Sequence, residues 1–454
     1  MIEHKGQAMN IASYFRGYAD KRMLRIFLIG MISGFPWVLI GSALSLWLKE
    51  TGLDRSTVGF AGLIFGVYVI NFLWAPLIDR LPVPYLSNRI GARKAWIFLC
   101  QLVIIACLFG WSMLNPSANL ALVVGIGLVI AIASATQDIT IDAFRIEQVN
   151  TDENEAMAAG AAMAVIGWWT GFKLGGLLML SIADTLEKAG FANYWPLSFI
   201  AVAGLVVLML LALLLIPEPR RAAIPQEGSN LTLASMIIWI KETAVEPLGD
   251  FFRRNGLKLA LALLGFIFLF KIGEAFMGRM SIIFYREIGF SKTDIGLYSK
   301  GLGWVVTVVF TLIGGWFSMR SGTVRALFLA GIVMASTNIL FSVLAWTGKS
   351  EWLFAVAVVL DDLAAAYATV AFVAFISLLV NRRYTATQYA LLASIGTAGR
   401  TIMASSSGVL VNWLDGDWGV FFIITALMVI PSLVLLWWIA PKIISATVRA
   451  GQSA

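Results

Sequence analysis

The sequence predicts an all-α protein that crosses a membrane many times. Of its 454 residues, 59% are hydrophobic and only 13% are charged, too few charged residues for the surface of a soluble domain of this size. The apolar residues also fall into runs of about 18 or more, which is the length that an α-helix needs to cross a hydrocarbon core. Twelve such runs predict twelve spans, at residues 25–48, 57–78, 95–114, 120–144, 156–182, 195–216, 257–285, 293–317, 324–346, 352–380, 384–412 and 418–440.

The distribution of positive charge predicts the orientation of these spans. Lysine and arginine are concentrated in both termini and in one set of alternate loops, which includes the longest loop, residues 217–256. Cytoplasmic loops of membrane proteins carry this excess. We therefore expect both termini to be cytoplasmic, and the net charge of +7 needs no nucleic-acid partner to explain it.

The chain also contains an internal repeat. The segment LWLKETGLDRSTVG at residues 46–59 resembles IFYREIGFSKTDIG at residues 283–296, and each segment joins the first and second span of its half. This similarity predicts an N-terminal half of six spans at residues 1–216 and a C-terminal half of six spans at residues 257–454. Such a six-plus-six repeat resembles the major facilitator fold, in which the substrate site lies between the halves near the middle of the membrane.

Residues 217–256 form the predicted cytoplasmic linker between the halves. Pro217 ends the sixth span, and apolar residues then recur among polar ones. This spacing predicts either an amphipathic helix on the inner membrane surface or a segment packed on the helix ends. The apolar residues are Leu233, Ile237, Ile240, Val245 and Leu248.

Charged residues inside the predicted spans are the strongest functional signal. Each costs about 2.5–3.5 kcal/mol on insertion scales, so such residues face a water-filled cavity or a partner. A purely structural pairing is an alternative for single members, such as Lys271 with Glu274, which are three residues apart. The set comprises Asp138, Asp142, Arg145, Lys173, Lys271, Glu274, Arg279, Lys300, Asp361, Asp362 and Arg400.

Candidate substrate-binding residues come from the cations near the middle of their spans. Lys173, Lys271 and Arg400 are predicted to form a cationic wall that suits carboxylate groups on a small polar solute. Polar and aromatic residues of the first two spans, Trp37, Tyr68 and Asn71, either stack on sugar rings or belong to the aromatic residues of a membrane interface.

Candidate proton-coupling residues are the carboxylates within the spans. Asp361 and Asp362 are adjacent, and two buried carboxylates repel each other, which favours binding of a proton by one of them. Glu274 lies beside a lysine whose pairing can change when substrate binds. Asp138 and Asp142 lie nearer the cytoplasmic end, where a gate or a proton exit is expected.

The loop after the second span carries a candidate gate. Asp79 and Arg80 precede a basic cluster that includes Arg93, in an arrangement that resembles the inner-loop motif of major facilitators. Charged pairs there can hold the two halves together, and Arg145 is placed in the same gating set. The alternative is ordinary cytoplasmic positive charge, with Asp79 capping a helix end.

The fifth span contains Gly167, Gly171 and Gly175 at four-residue spacing. Small residues on one helix face allow another helix to approach closely, so this pattern predicts tight helix packing.

Several function classes lack their sequence patterns. The sequence contains no phosphate-binding P-loop, no HExxH motif and no nucleophile elbow, and its single histidine is His4 in the polar N-terminal segment. We therefore expect no enzymatic activity, no cofactor and no metal.

Three segments resemble the AmpG group of muropeptide permeases, a branch of the major facilitators. They are SATQDITIDAFRIE at residues 134–147, EPLGDFFRRNGLKLALALLGFIFLFKIGEAFMG at residues 246–278 and NRRYTATQYALLASIGTAGR at residues 381–400. The charged and polar positions that match the group are Gln137, Asp138, Asp142, Lys271 and Glu274.

This resemblance implies a function. Members of the AmpG group import N-acetylglucosaminyl-1,6-anhydro-N-acetylmuramic acid, with or without peptide, from periplasm to cytoplasm. The import is coupled to protons and serves cell-wall recycling. The resemblance thus implies a multi-pass transporter of the bacterial inner membrane, which we expect to be a monomer. Arg279 and the Asp361–Asp362 pair depart from the group's pattern. A related transporter of another anionic metabolite, an acyl-CoA-like or siderophore-related solute, is therefore the alternative.

Overall fold

A computed structural model describes residues 20–74, 78, 81–149, 154–218, 241, 246–310, 323–379 and 385–452. Helix is present in this part of the chain at every one of the twelve predicted positions. In chain order the helices are α1 (Lys21–Glu50), α2 (Arg55–Ile70), α3 (Ala92–Ser112), α4 (Pro116–Glu147), α5 (Asn154–Lys188), α6 (Tyr194–Leu215), α7 (Leu257–Glu287), α8 (residues 292–310), α9 (Thr323–Thr347), α10 (Glu351–Leu379), α11 (residues 385–413) and α12 (residues 418–452).

The described helices include membrane-spanning lengths. Within the described residues, nine are long and apolar enough to cross a membrane, judged by length and composition, and α2 is a shorter apolar helix. These nine helices confirm the prediction of an all-α polytopic membrane protein. The number of twelve crossings and the cytoplasmic termini remain predictions.

The repeat is present in the backbone as well as in the sequence. Gly52 and Gly289, which correspond in the repeat, both have positive φ, of +89° and +100°, in the turn that ends the preceding helix. A side chain disfavours that conformation, which explains glycine at both positions. Two residues later, Asp54 caps α2 and Ser291 caps α8 through their side-chain oxygens. Both halves therefore use the same turn between their first two helices.

Glycine contacts join α1 to α5, as the glycine spacing of the fifth span predicts. A Cβ atom on Gly171 would overlap the carbonyl oxygen of Met31, and one on Gly34 would overlap that of Trp168. Gly167 lies equally close to the carbonyl of Phe27. The prediction of close packing is confirmed, because no larger residue fits between these backbones.

Several described helices depart from regular α-helical geometry, and α2 contains a 3₁₀ segment at Gly62–Gly66. α1 contains a π-helical turn at Val38–Ala43, and α8 contains one at Gly296–Leu302. α7 is interrupted between Leu269 and Ile272, where Lys271 has φ −108° and ψ 16°. Such irregular turns rotate the side chains that follow them and occur often at functional sites.

The linker is described only at its ends. Leu233, Ile237, Ile240 and Val245, which carry the predicted amphipathic pattern, lie outside the described residues. The helix Glu246–Asn255 is described, and its Phe251 is buried among side chains of the C-terminal half. This part of the linker therefore packs against the C-terminal half, and the two interpretations of the amphipathic pattern both stay predictions.

Candidate functional site

A cavity of about 360 Å³ lies between the two predicted halves. Helices α1, α2 and α5 line it from one half, and helices α7, α8 and α11 line it from the other. The irregular turns of α1 and α8 both contribute to the wall. The lining residues are Trp37, Gly41, Ser42, Phe65, Trp168, Phe172, Glu274, Ala275, Gly278, Arg279, Ser281, Ile282, Ile295, Ser299, Lys300, Thr397, Arg400, Thr401 and Ala404.

One wall of the cavity is aromatic. The ring centroids of Trp37 and Phe65 lie 4.8 Å apart, and those of Trp37 and Trp168 lie 5.5 Å apart. Trp168 in turn lies 5.5 Å from Phe172. These rings come from α1, α2 and α5, so the N-terminal half supplies a surface that suits the flat faces of a solute.

The opposite wall carries charge from the C-terminal half. Arg279, Lys300 and Arg400 come from α7, α8 and α11, and Glu274 adds one carboxylate. The Arg279 guanidinium lies 5.0 Å from the ring centre of Phe65, and Lys300 Nζ lies 4.4 Å from that of Phe172. The cations thus reach across the cavity to the aromatic wall.

The seven predicted substrate-binding residues separate into two sets. Trp37 and Arg400 line the cavity, whereas Lys173, Lys271, Gln137, Tyr68 and Asn71 are not among its lining residues. Tyr68 packs on Trp37 with ring centroids 4.6 Å apart, and Asn71 begins a short 3₁₀ turn that follows α2.

Gln137 is fully buried and connects three helices. Its Oε1 accepts from Gln101 at 2.6 Å, and its Nε2 donates to the carbonyl of Ile32 at 2.8 Å. The side-chain amide is therefore engaged between α1, α3 and α4.

Both predicted lysines form ion pairs. Lys173 Nζ lies 2.5 Å from Asp362 Oδ1, which links α5 of one half to α10 of the other. Lys271 Nζ lies 2.9 Å from Glu274 Oε2 and donates to Thr369 at 2.9 Å. Of the three cations that were expected to form the wall, only Arg400 lines the cavity. Arg279 and Lys300 line it in place of Lys173 and Lys271.

The predicted proton-coupling carboxylates also differ in their partners. Asp362 and Glu274 are held by the two lysines, and Asp142 Oδ1 lies 3.6 Å from Arg145. Asp361 accepts from the hydroxyl of Thr337 at 3.2 Å, and Asp138 from that of Ser33 at 2.6 Å. Neither Asp361 nor Asp138 forms an ion pair within the described part of the chain.

The predicted gate is only partly described, since Asp79 and Arg80 lie outside the described residues. Arg93 Nη2 lies 3.1 Å from Glu147, so α3 is tied to α4 within the N-terminal half. The Arg145 contact with Asp142 also stays within that half, on α4.

Sequence reasoning missed a cluster of ion pairs at the predicted outer ends of α1 and α7. Arg286 Nη2 lies 3.0 Å from Glu50, and Lys49 Nζ lies 3.0 Å from Glu287. The internal repeat was the available signal, because Lys49–Glu50 and Arg286–Glu287 are its corresponding pairs. We call these contacts the crossed ion pairs, since each half supplies the cation of one and the anion of the other.

Other residues extend the crossed ion pairs. The buried Lys292 Nζ lies 3.0 Å from Glu50 and 4.6 Å from the ring centre of Tyr194. Arg55 Nη2 lies 2.8 Å from Glu287. Asp54 accepts from Asn412 of the other half at 3.4 Å, and the Thr57 hydroxyl that donates to Asp54 lowers the pKa of that carboxyl. The two halves are thus joined by charge and hydrogen bonds at this end.

A helical protein with a cavity enclosed between two halves has the architecture of a membrane transporter, and the family matches that follow indicate a transporter, not an enzyme. Residues 26–299 match the Major Facilitator Superfamily. The anhydromuropeptide permease of Escherichia coli K12 is 32% identical over 427 residues, which cover 94% of this chain and 81% of that protein. AmpG 4 of Rickettsia felis is 31% identical over 426 residues, which cover 94% of this chain and 98% of that protein. The chain therefore belongs to the Major Facilitator Superfamily and, within it, to the AmpG-like permeases.

Solved structures of this superfamily share the fold. A bacterial homologue of the human lysosomal transporter Spinster has a TM-score of 0.69 at 14% identity, with 94% of this chain and 98% of that chain covered. A proton-dependent oligopeptide transporter has a TM-score of 0.67 at 14% identity, with 91% and 97% covered. At this identity the likeness establishes the fold alone, and the predicted major facilitator architecture is confirmed.

Proposed function

We propose that this permease imports anhydromuropeptides, the disaccharide N-acetylglucosaminyl-1,6-anhydro-N-acetylmuramic acid with or without its peptide, in symport with protons. The observation that carries this proposal is the cavity between the halves, which has an aromatic wall opposite a cationic wall. Sugar rings suit the first wall and carboxylates suit the second. The full-length similarity to the Escherichia coli anhydromuropeptide permease supports the same substrate.

In this proposal Arg400 and Trp37 contact the substrate directly. Lys271 acts through Glu274, which lines the cavity while it is paired to that lysine. Because Glu274 is the member of this pair that faces the cavity, a substrate carboxylate beside it would change its pairing with Lys271, so substrate binding and the charge state of Glu274 are coupled.

The proton is assigned to the carboxylates of α10. The Lys173–Asp362 pair joins the two halves, and protonation of Asp362 would remove the attraction that holds it. Asp361 is the next residue along α10 and has no cationic partner in the described structure, so it can hold a proton separately from the Lys173–Asp362 pair. Asp138 and Asp142 serve as the second candidate set, nearer the cytoplasm.

Alternating access follows from contacts at the two ends. The crossed ion pairs close the cavity on the outer side, and they must break before substrate enters from the periplasm. Asp79, Arg80, Arg93 and Arg145 are proposed to act at the opposite, cytoplasmic end.

The membrane arrangement is part of the proposal. Twelve spans, in halves at residues 1–216 and 257–454 with the linker between them, would place both termini in the cytoplasm. The transporter would act as a monomer in the bacterial inner membrane, and the AmpG-like relatives support that location.

Uptake of labelled anhydromuropeptide into cells that carry only this transporter tests the proposal. Accumulation that is abolished by an uncoupler is expected. Uptake that survives full collapse of the proton gradient would remove the coupling, and absence of uptake would remove the substrate.

A second candidate function is transport of another anionic metabolite, such as an acyl-CoA-like or siderophore-related solute. The cationic wall favours it equally, because Arg279, Lys300 and Arg400 recognise negative charge rather than a particular sugar. Competition of unlabelled solutes against labelled anhydromuropeptide separates the two functions.

A further inference from the structure

Three cations of the cavity have no acidic partner in the described structure. Arg279 donates only to the carbonyl of Gly62, at 3.4 Å, and Arg400 donates to the hydroxyl of Thr397, at 3.3 Å. Lys300 contacts the ring of Phe172, and no described carboxylate forms an ion pair with it. All three are half-buried, because each side chain reaches the cavity.

Of the four other lysines that are buried in the described part of the chain, three are paired with carboxylates, and Lys94 donates to the backbone carbonyls of Leu214 and Ile216. Lys173, Lys271 and Lys292 each lie within 3.0 Å of a carboxylate oxygen, at 2.5, 2.9 and 2.5 Å. This is the usual arrangement, since a cation removed from water without an anion costs free energy. The three cavity cations thus differ from Lys173, Lys271 and Lys292 in having no carboxylate partner in the described structure, and all three line one cavity.

The charges that face the cavity do not cancel. Glu274 is the one carboxylate among the described lining residues, and its charge is already engaged by Lys271. Three positive charges therefore remain on three different helices, α7, α8 and α11. A ligand with one anionic group can neutralise one of them and leaves two exposed to a partly dehydrated cavity.

We propose that the cavity binds a ligand with two carboxylate groups more tightly than one with a single carboxylate, because Arg279, Lys300 and Arg400 bind the two groups together. This inference rests on the proposed function and narrows it. The preferred solute is the peptide-bearing anhydromuropeptide, whose peptide adds carboxylates, rather than the peptide-free disaccharide, which has one. The sugar rings would lie on the aromatic wall, and the peptide carboxylates would meet the cationic wall.

Binding to the purified full-length protein, measured by calorimetry, tests this preference. The ligands are the peptide-bearing anhydromuropeptide, the same molecule with its peptide carboxylates converted to amides, and the peptide-free disaccharide. A hydrogen bond to a charged group contributes about 1.5–3 kcal/mol, so the loss of each carboxylate is expected to weaken binding roughly tenfold or more. Arg279→Gln, Lys300→Met and Arg400→Gln should each reduce this preference for the acid form.

Lys258→Met is the matched control. Lys258 is an exposed lysine at the start of α7 and is not among the lining residues, so the preference should be unchanged in this variant. Thermal unfolding without ligand checks that the variants fold. Lys300→Met should unfold at the same or a higher temperature than wild type, because it removes a charge that has no partner.

The outcomes distinguish this inference from the proposed function. Equal and tight binding of the acid and amide forms would overturn the preference for two carboxylates while anhydromuropeptide transport stands. If no anhydromuropeptide form binds, the proposed function fails. Citrate and its neutral trimethyl ester then test the cavity independently, by their effect on the unfolding temperature. Stabilisation by citrate alone, lost in Lys300→Met, would support the inference, and no difference between citrate and the ester would overturn it.

Discussion

Arg286 at the end of α7 donates to Glu50 at the end of α1, with Nη2 3.0 Å from Oε1. The corresponding residues of the repeat, Lys49 and Glu287, form the reverse pair at 3.0 Å. One duplicated sequence segment thus supplies both sides of a contact between the two halves. Because the segment joins the first and second helix of each half, the contact lies at the end of the cavity that the charge pattern assigns to the periplasm.

Neutralising the crossed ion pairs should favour the outward-open state. In a background without Cys100 and Cys107, a cysteine at Thr401 reports access to the cavity through a membrane-impermeant thiol reagent. Glu50→Gln combined with Glu287→Gln should raise the rate of labelling from outside several-fold. The two substitutions remove the anions of the ion pairs with Arg286, Lys49, Arg55 and Lys292.

Glu351→Gln is the control for that experiment, because Glu351 accepts from Tyr298 of the same half. Its labelling rate should match that of the parent. An unchanged rate in the double variant would show that the crossed ion pairs do not hold this end closed.

Removing one member of the Lys173–Asp362 pair should be costly. Asp362→Asn leaves Lys173 buried without its anion, and loss of one partner of a buried pair destabilises by about 3–5 kcal/mol. Lys173→Met in the same background should recover most of this loss, which thermal unfolding of the purified protein measures. If the double variant is as unstable as the single one, the pair is not the origin of the effect.

Transport should respond differently from stability in the α10 variants. Asp361→Asn with Asp362→Asn should abolish accumulation of substrate, because neither side chain can then release a proton. Exchange of labelled for unlabelled substrate needs no net proton movement and should continue. Normal accumulation in this variant would move the coupling site to other carboxylates, with Asp138 as the next candidate.

The α1–α5 contact should not tolerate a methyl group. Gly171→Ala places a Cβ against the carbonyl oxygen of Met31, and such overpacking typically costs about 1–3 kcal/mol. Gly204→Ala on α6 is the matched change, since a Cβ there has open space. Thermal unfolding should separate the two variants, and equal stability would show that α1 and α5 do not pack closely at Gly171.

The sequence was sufficient for the positions of the helices and for the turn of the repeat. Membrane thickness limits the length of an apolar run, and Gly52 and Gly289 occupy positions that require positive φ. The glycine spacing of α5 also predicted a close helix contact, although it did not identify α1 as the partner.

The direction in which an individual charged side chain points was not predictable from regular helical spacing. Lys271 lies at a break in α7, and Lys300 lies within a π-helical turn, so each departs from the direction that an uninterrupted α-helix would give. Arg279 and Lys300 were detectable in one respect: neither has an acidic residue three or four positions away on its own helix, whereas Lys271 has Glu274. That absence does not mark the site by itself, because Lys173 also lacks an acidic residue at those positions and pairs with Asp362 of another helix.

Proton movement driven by substrate tests the central claim most directly. Purified transporter in liposomes with a pH indicator inside is given anhydromuropeptide outside, with no imposed gradient. We predict that the interior becomes acidic as substrate enters, and that the signal is lost in Arg400→Gln, which removes a substrate contact, and in the Asp361→Asn, Asp362→Asn variant. Entry of labelled substrate into wild-type liposomes with no change of internal pH would contradict the account.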